Sequence, residues 1–375
     1  MQLVKTMGFP KMHKEESEKR DFLPQFFSDL QGYEVKIVLE KGYGERLGFT
    51  EADYLQSNPH IVFADLAEVY QSDAIIVLRC PETDEINLIR QKAVLVSMLH
   101  YETRETRNEL LRERKINCFS MDAMVNDENE RILVNYRGTS TAGSRIAFEE
   151  LKKRTHDFRQ VQENLIHITI IGAGAVAANA AKAFEAFGDK EFLTTDKGLI
   201  IHMLPRSVTQ KEHLLQQVLA HTHVLVDASK RTDASQFIIS NQLVGCLPAC
   251  AIILDLAADP YNEQTTPIQV KGIEGIPTGT LDKYMIEPDD DMYEHLPPSV
   301  ASTNRRVVIS CNAWPGVDAK ECMEIYGKQM IPHIDVLLSK PIEALDLNSR
   351  NLYERSLVRS SLDYYMKTKL REEVK

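Results

Sequence analysis

The chain has one tryptophan in 375 residues, and its six cysteines show no paired spacing. Cys80, Cys118, Cys246, Cys250, Cys311 and Cys322 form no CxxC motif and have no nearby histidine set of zinc type. Cys246 and Cys250 stand four apart and would share a helix face, yet small thiols in a reducing compartment are the expected reading, with neither metal nor disulfide. No apolar run reaches the roughly 20 residues that span a bilayer. The opening MQLVKTMGFPKMHKEESEKR lacks the apolar core and small-residue cleavage site of a secretory signal. Lys and Arg number 44 against 55 Asp and Glu, a net charge of −11, and the cations gather into no stripe. Nucleic acid must be met by clustered cations, so neither nucleic acid nor membrane is expected as a partner. What remains is a soluble, cytoplasmic protein acting on a small molecule; homo-oligomerisation is open.

What is present is ordinary globular composition, 43% hydrophobic and 26% charged, in a length that suits two domains. Apolar, β-branched runs at YEVKIVL (33–39), AIIVLR (74–79) and AVLVSML (93–99) alternate with short helical segments in FLPQFFSDLQ, TEADYLQS and LAEVYQ. Thr50, three before Asp53, suits a helix N-cap. ETRNELLRERK (105–115) reads as a charged amphipathic helix, and AGSRIAFEELKKRTHDF (142–158) as a long one. A second alternating set follows at HITIIG (167–172), LIIHML (199–204), HVLVDA (223–228), ACAIILDLA (249–257) and VVISC (307–311). The Pro-, Gly- and acid-rich stretch 259–302 reads as extended loop, and helical pattern returns from Asp318. The expected fold is α/β: two doubly wound Rossmann-like domains with a cleft between them. Residues 1–145, completed by 318–375, would form the substrate domain and 146–317 the dinucleotide-binding domain.

The strongest local signal is HITIIGAGAVAANAAKAFEAFG (167–188). A buried strand runs into Gly172-Ala173-Gly174-Ala175-Val176-Ala177 and then a helix rich in small residues. Gly172 would permit the tight turn, Gly174 the approach of a pyrophosphate, and Ala177 close helix–sheet packing. Ala175 and Val176 open the helix, whose N–H groups and dipole favour phosphate. The strand LIIHML ends in Pro205-Arg206-Ser207, without the acidic residue that bonds an NAD ribose. Arg206 and Ser207 could receive a 2′-phosphate instead, so NAD(P)H is expected, with NADP preferred over NAD.

Further strings carry a family likeness: Gly8-Phe9-Pro10-Lys11 with Arg20-Asp21-Phe22-Leu23-Pro24, Gly42-Tyr43-Gly44-Glu45, Val77-Leu78-Arg79-Cys80-Pro81-Glu82, Ser97-Met98-Leu99-His100, Leu254-Asp255-Leu256-Ala257-Ala258-Asp259 and Asn312-Ala313-Trp314-Pro315. In this order they resemble the alanine dehydrogenase and transhydrogenase N-terminal family, whose architecture saccharopine dehydrogenases and carboxyethyl-ornithine synthase share. The resemblance implies that Arg20 holds a substrate carboxylate and that His100 is the catalytic histidine. It implies that Asp259 contacts the reacting centre, with Asp255 as rival, and that Asn312 lies on the nicotinamide side. Arg79 stands where the family has a lysine; it is cationic but cannot shed its proton. Trp314 is expected to line the cleft.

The expected activity is hydride transfer between nicotinamide and the α-carbon of an amino or imino acid. Reductive joining of an amino acid to a keto acid, of saccharopine or opine type, is the alternative within the class. A catalytically inactive nucleotide-binding regulatory protein is the alternative outside it, and a transhydrogenase subunit with a membrane partner ranks last. No metal is expected.

Overall fold

Parallel strands linked by helices build the chain, and the computed structural model describes residues 4–231 and 233–373. Two units emerge: Met1–Lys14, Glu18–Asn135 and Ala319–Lys375 in the first, Glu15–Ser17 and Tyr136–Asp318 in the second.

The strands of the first unit are β1 (Thr6–Phe9), β2 (Lys36–Glu40), β3 (Ile61–Ala64), β4 (Ala74–Arg79), β5 (Val94–Met98) and β6 (Asn117–Ser120). They lie in the order β3-β2-β1-β4-β5-β6, all parallel. This is the doubly wound order, with its switch point between β1 and β4. β4 and β5 are buried almost throughout, as in a sheet covered on both faces, so their apolar runs stand out in the sequence. β1, β3 and β6 are four residues each and were not expected, because so short a strand carries too little pattern. At Gly8 in β1 an added Cβ would lie 2.3 Å from the Val69 carbonyl oxygen. Only glycine permits that approach.

The short helices α1 (Pro24–Ser28), α2 (Glu51–Ser57), α3 (Leu66–Val69), α4 (Thr83–Leu88) and α5 (Glu105–Glu113) connect these strands. Thr50 caps α2 in a full capping box with Asp53. Phe9, Phe22, Phe26, Phe27, Tyr43 and Tyr54 pack mostly edge to face in the core.

The second unit opens with α6 (Tyr136–Arg154). This helix begins six residues before the expected start and ends earlier, because His156, Asp157 and Phe158 all take positive φ. Then come β7 (Leu165–Ile171), α7 (Ala175–Phe192), β8 (Gly198–Leu204), α8 (Arg206–Thr209), α9 (Glu212–Leu219), β9 (Val224–Asp227), α10 (Asn241–Val244), β10 (Ile252–Asp255), β11 (Met285–Ile286) and β12 (Val307–Ser310). Their order is β11-β12-β10-β9-β7-β8, with only β11 antiparallel. On β7, Ile166, Ile168 and Ile170 pack with Ala147, Leu151 and Phe184 of α6 and α7, while Ile171 joins Leu215 and Leu219 of α9 on the opposite face. The 259–302 segment has little regular structure beyond β11 and a 3-10 turn at Asp291–His295. α11 (Ala319–Ser339), α12 (Leu352–Ser360) and α13 (Leu362–Glu373) complete the first unit. Among the described residues no helix is long and apolar enough to cross a membrane.

Candidate active site

In the first unit, the chain leaving β1 carries Glu18 and Arg20, and Arg79 ends the adjacent β4. These residues stand at the switch point, where doubly wound sheets bind ligands. Arg20 donates from Nε to Glu18 Oε1 at 2.8 Å and from a terminal nitrogen to Oε2 at 2.5 Å. A terminal nitrogen of Arg79 lies 3.6 Å from Glu18 Oε2. The carboxylate in the Arg20 fork is therefore the protein's own. Burial would push Glu18 up, but the charge and hydrogen bonds of Arg20, with Arg79 behind them, hold it below the usual carboxylate range. Burial would likewise lower Arg20, and Glu18 outweighs it, so the guanidinium is held charged. The trio carries one net positive charge.

His100 follows β5 at φ 49, an uncommon conformation for a residue with a side chain. Arg79 pairs in register with Met98, so Arg79 and His100 leave the same end of neighbouring strands. The His100 amide donates to Asp122 Oδ1 at 3.2 Å, and its ring Nδ1 lies 3.4 Å from Asp122 Oδ2. Ser120 Oγ donates to the same carboxylate at 2.5 Å. Burial would raise Asp122; the His100 and Ser120 contacts overcome it and hold the carboxyl well below its ordinary range. The imidazole is more than half exposed while its partner is not. A carboxylate that accepts from Nδ1 fixes the ring and leaves Nε2 outward. Glu18 and Asp122 were missed in the sequence. The signal was an acid two before the arginine, and another just beyond a strand too short to notice.

In the second unit, Gly172 follows β7 at φ 112, and an added Cβ would meet the Ala228 carbonyl oxygen at 2.5 Å. Gly174 is the N-cap of α7 with φ −79, and a Cβ there would meet nothing within 4 Å. Ala177 is fully buried. Ser140 of α6 donates to the Val176 carbonyl at 2.8 Å, and Gly143 brings α6 against Leu256. A free helix N-terminus with open space over Gly174 fits a pyrophosphate. Ala175 is exposed there and Val176 half-buried; Arg206 and Ser207 are exposed at the end of β8.

Asp259 is ion-paired to Arg231 at 2.7 Å, and Arg231 donates further to the carbonyls of Ala234, Gln236, Val270 and Lys271. Asp255 is buried: it accepts from Ala258 N, from Lys271 Nζ at 2.7 Å and from Ser310 Oγ at 2.9 Å. Its neighbour Asp227, which accepts from Ser229, is pushed up to about 6 by burial and then by the Asp255 charge. Asp255 ends β10 and Asp259 follows it; of the two, Asp259 is the partly exposed one. Asn312 donates its side-chain amide to Glu15 Oε1 at 3.2 Å. Trp314 does not line a cleft; it is buried in the core of this unit, and its indole N–H donates to the Asp255 carbonyl at 2.7 Å.

Residues 10–136 match the family model described as alanine dehydrogenase/PNT, N-terminal domain. A relative, the alanine dehydrogenase of Halomonas elongata, is 20% identical over 280 residues, 68% of this chain and 72% of that one. Among solved structures, an L-alanine dehydrogenase matches with a TM-score of 0.68 at 15% identity, covering 95% of this chain and 94% of the other. A transhydrogenase from Sinorhizobium meliloti matches at 0.64 and 12% identity, covering 95% and 97%. The resemblance read from the sequence is thus to the alanine dehydrogenase and transhydrogenase N-terminal family. The likeness of fold extends over nearly the whole chain.

Proposed function

We propose that the chain is a nicotinamide-dependent oxidoreductase acting on the CH–NH bond of an amino or imino acid. The observation that supports it most is the joint presence of a strand-end His100–Asp122 pair beside a charge-excess Arg20–Glu18–Arg79 trio in one unit and an open GAGAVA turn in the other. The dinucleotide, when bound, supplies or accepts hydride at the nicotinamide C4. Gly172, Gly174, Ala175, Val176 and Ala177 would hold its pyrophosphate, and Arg206 with Ser207 a 2′-phosphate, so NADP is preferred over NAD. Asn312 would face the nicotinamide.

Arg79 and Arg20 would receive the substrate carboxylate on the one net positive charge of the trio, Glu18 fixing both guanidinium planes. His100 would move the proton at the substrate nitrogen through Nε2, while Asp122 stabilises the imidazolium that forms. Asp259 would orient the amine or a water. The same residues serve oxidative deamination and reductive joining of an amino acid to a keto acid. The test is a screen at 340 nm with NADH and NADPH against keto acids, each with ammonia or an amino acid. Cofactor oxidation that depends on both partners supports the reading; reduced dinucleotide bound without turnover of any acid would turn it toward a regulatory protein.

A further inference from the structure

Sheet edges are normally short, bulged, charged or covered, since an open edge recruits further strands. The edges β3 and β6 have four residues each, and β6 is bridged at Phe119 by Ser361. β11 has two residues. β8 has seven, pairs with β7 alone, runs without a register shift and holds no Lys, Arg, Asp or Glu. Of its side chains only Leu204 is buried. Seven large apolar side chains are exposed among the described residues, and four of them, Leu165, Leu193, Ile200 and Met203, lie on β8 or beside it.

The cause is topological. A doubly wound sheet has the order 3-2-1-4-5-6, and the first unit shows it in full. In the second unit β7 and β8 take places 1 and 2, but the chain leaves β8 through α8 and α9 straight to β9, the strand in place 4. Among the described residues no strand occupies place 3.

We infer that β8 of a second copy of this chain occupies that place, antiparallel about a two-fold axis at Ile201, so that two six-stranded sheets become one. The strand is self-complementary in this register. Leu199 faces Met203 of the partner subunit, an apolar contact of the kind that stabilises cross-strand pairs, and Ile200 faces the ring of His202 of the partner subunit. Beyond the ladder, exposed Asp196 comes opposite exposed Arg206 of the partner subunit, and the contact occurs twice. Lys197 comes opposite Pro205 of the partner subunit, so no like charges are opposed. Between α7 and β8 a groove of about 500 Å³ has Ala181, Phe192 and Leu193 in its lining with Lys182, Glu185, Asp189 and Lys197 around them, and would take the partner subunit's Met203 against its apolar part. The inference needs no bound dinucleotide; it shares only Arg206 with the 2′-phosphate site proposed above.

The test is sedimentation velocity over a concentration series on the full chain, with Ile200→Lys and Met203→Lys variants checked for folding by circular dichroism. The parent should sediment as a dimer. Each lysine should weaken the dimer roughly tenfold or more, as charges on an edge do, with affinity for NADH, which has no 2′-phosphate for Arg206 to meet, unchanged. Asp196→Lys should weaken it too and reverse the salt dependence, added salt then relieving a repulsion. Hydrogen exchange on the parent should show β8 amides gaining protection as dimer forms, a readout that stands even if a variant fails to fold. A parent that stays monomeric at its highest soluble concentration, a dimer that survives both lysines, or β8 amides indifferent to dimerisation would each overturn the inference.

Discussion

Glu18 changes what Arg20 can be expected to do. The sequence offered Arg20 as a carboxylate clamp, whereas its fork already holds a fully buried carboxylate. Removing the guanidinium would strand that charge. Arg20→Ala should therefore lose roughly 3–5 kcal/mol of stability as well as substrate affinity, measured by urea unfolding. Arg79→Ala, whose side chain is more exposed, should cost less stability and chiefly raise KM. Glu18 has a depressed folded-state pKa, so its contribution is present above the unfolded carboxylate range and is lost as pH falls through the folded value. His100 and Asp122 divide a different task. His100→Asn should lower kcat and kcat/KM together, by ~10²–10⁴, with substrate and cofactor still bound. Asp122→Asn should keep part of the rate, since the ring loses its orienting carboxylate but keeps Nε2. Steady-state kinetics across pH separates the two, and a His100→Asn enzyme at parental rate would make His100 merely structural.

At the scale of elements, the glycine turn yields a contrast between neighbours. Gly174→Val meets open space at an ordinary φ, so it should fold and lose reduced dinucleotide, followed by cofactor fluorescence. Gly172→Val combines a φ of 112 with collision against the Ala228 carbonyl, so it should be destabilised whether or not a dinucleotide binds. Equal behaviour of the two would contradict the roles given to them. Acid should also weaken the fold from within. Burial lowers His223 and His333 to about 4, His223 with help from His167. Their folded pKa lies below the unfolded value, so the unfolded chain binds more protons between pH 4 and 6.5, and stability falls as pH falls through that window. For His333 the loss is roughly 3 kcal/mol, and His333→Gln should flatten that part of the thermal-melt profile.

The same scale explains what was legible. Long strands buried on both faces, such as β4 and β7, announce themselves as apolar runs, and Thr50 with Asp53 announces a cap. Four-residue strands such as β1 and β6 do not, and with β6 unseen Asp122 had no reason to be noticed. Trp314 misled because a lone aromatic near a family motif suggests a surface, whereas its indole N–H finds a buried carbonyl. Asp255 and Asp259 look alike in sequence; only Lys271, sixteen residues on, decides which is buried.

At the scale of the whole molecule, the proposed function turns on a hydride. The most direct measurement follows that hydride. Reduced cofactor carrying deuterium at the transferable C4 position would be turned over with the keto acid and nitrogen donor found in the 340 nm screen, and the product examined by mass spectrometry. One deuterium is expected on the carbon bonded to nitrogen, and no product is expected from the Gly174→Val variant. A product formed without deuterium at that carbon would contradict the proposed function.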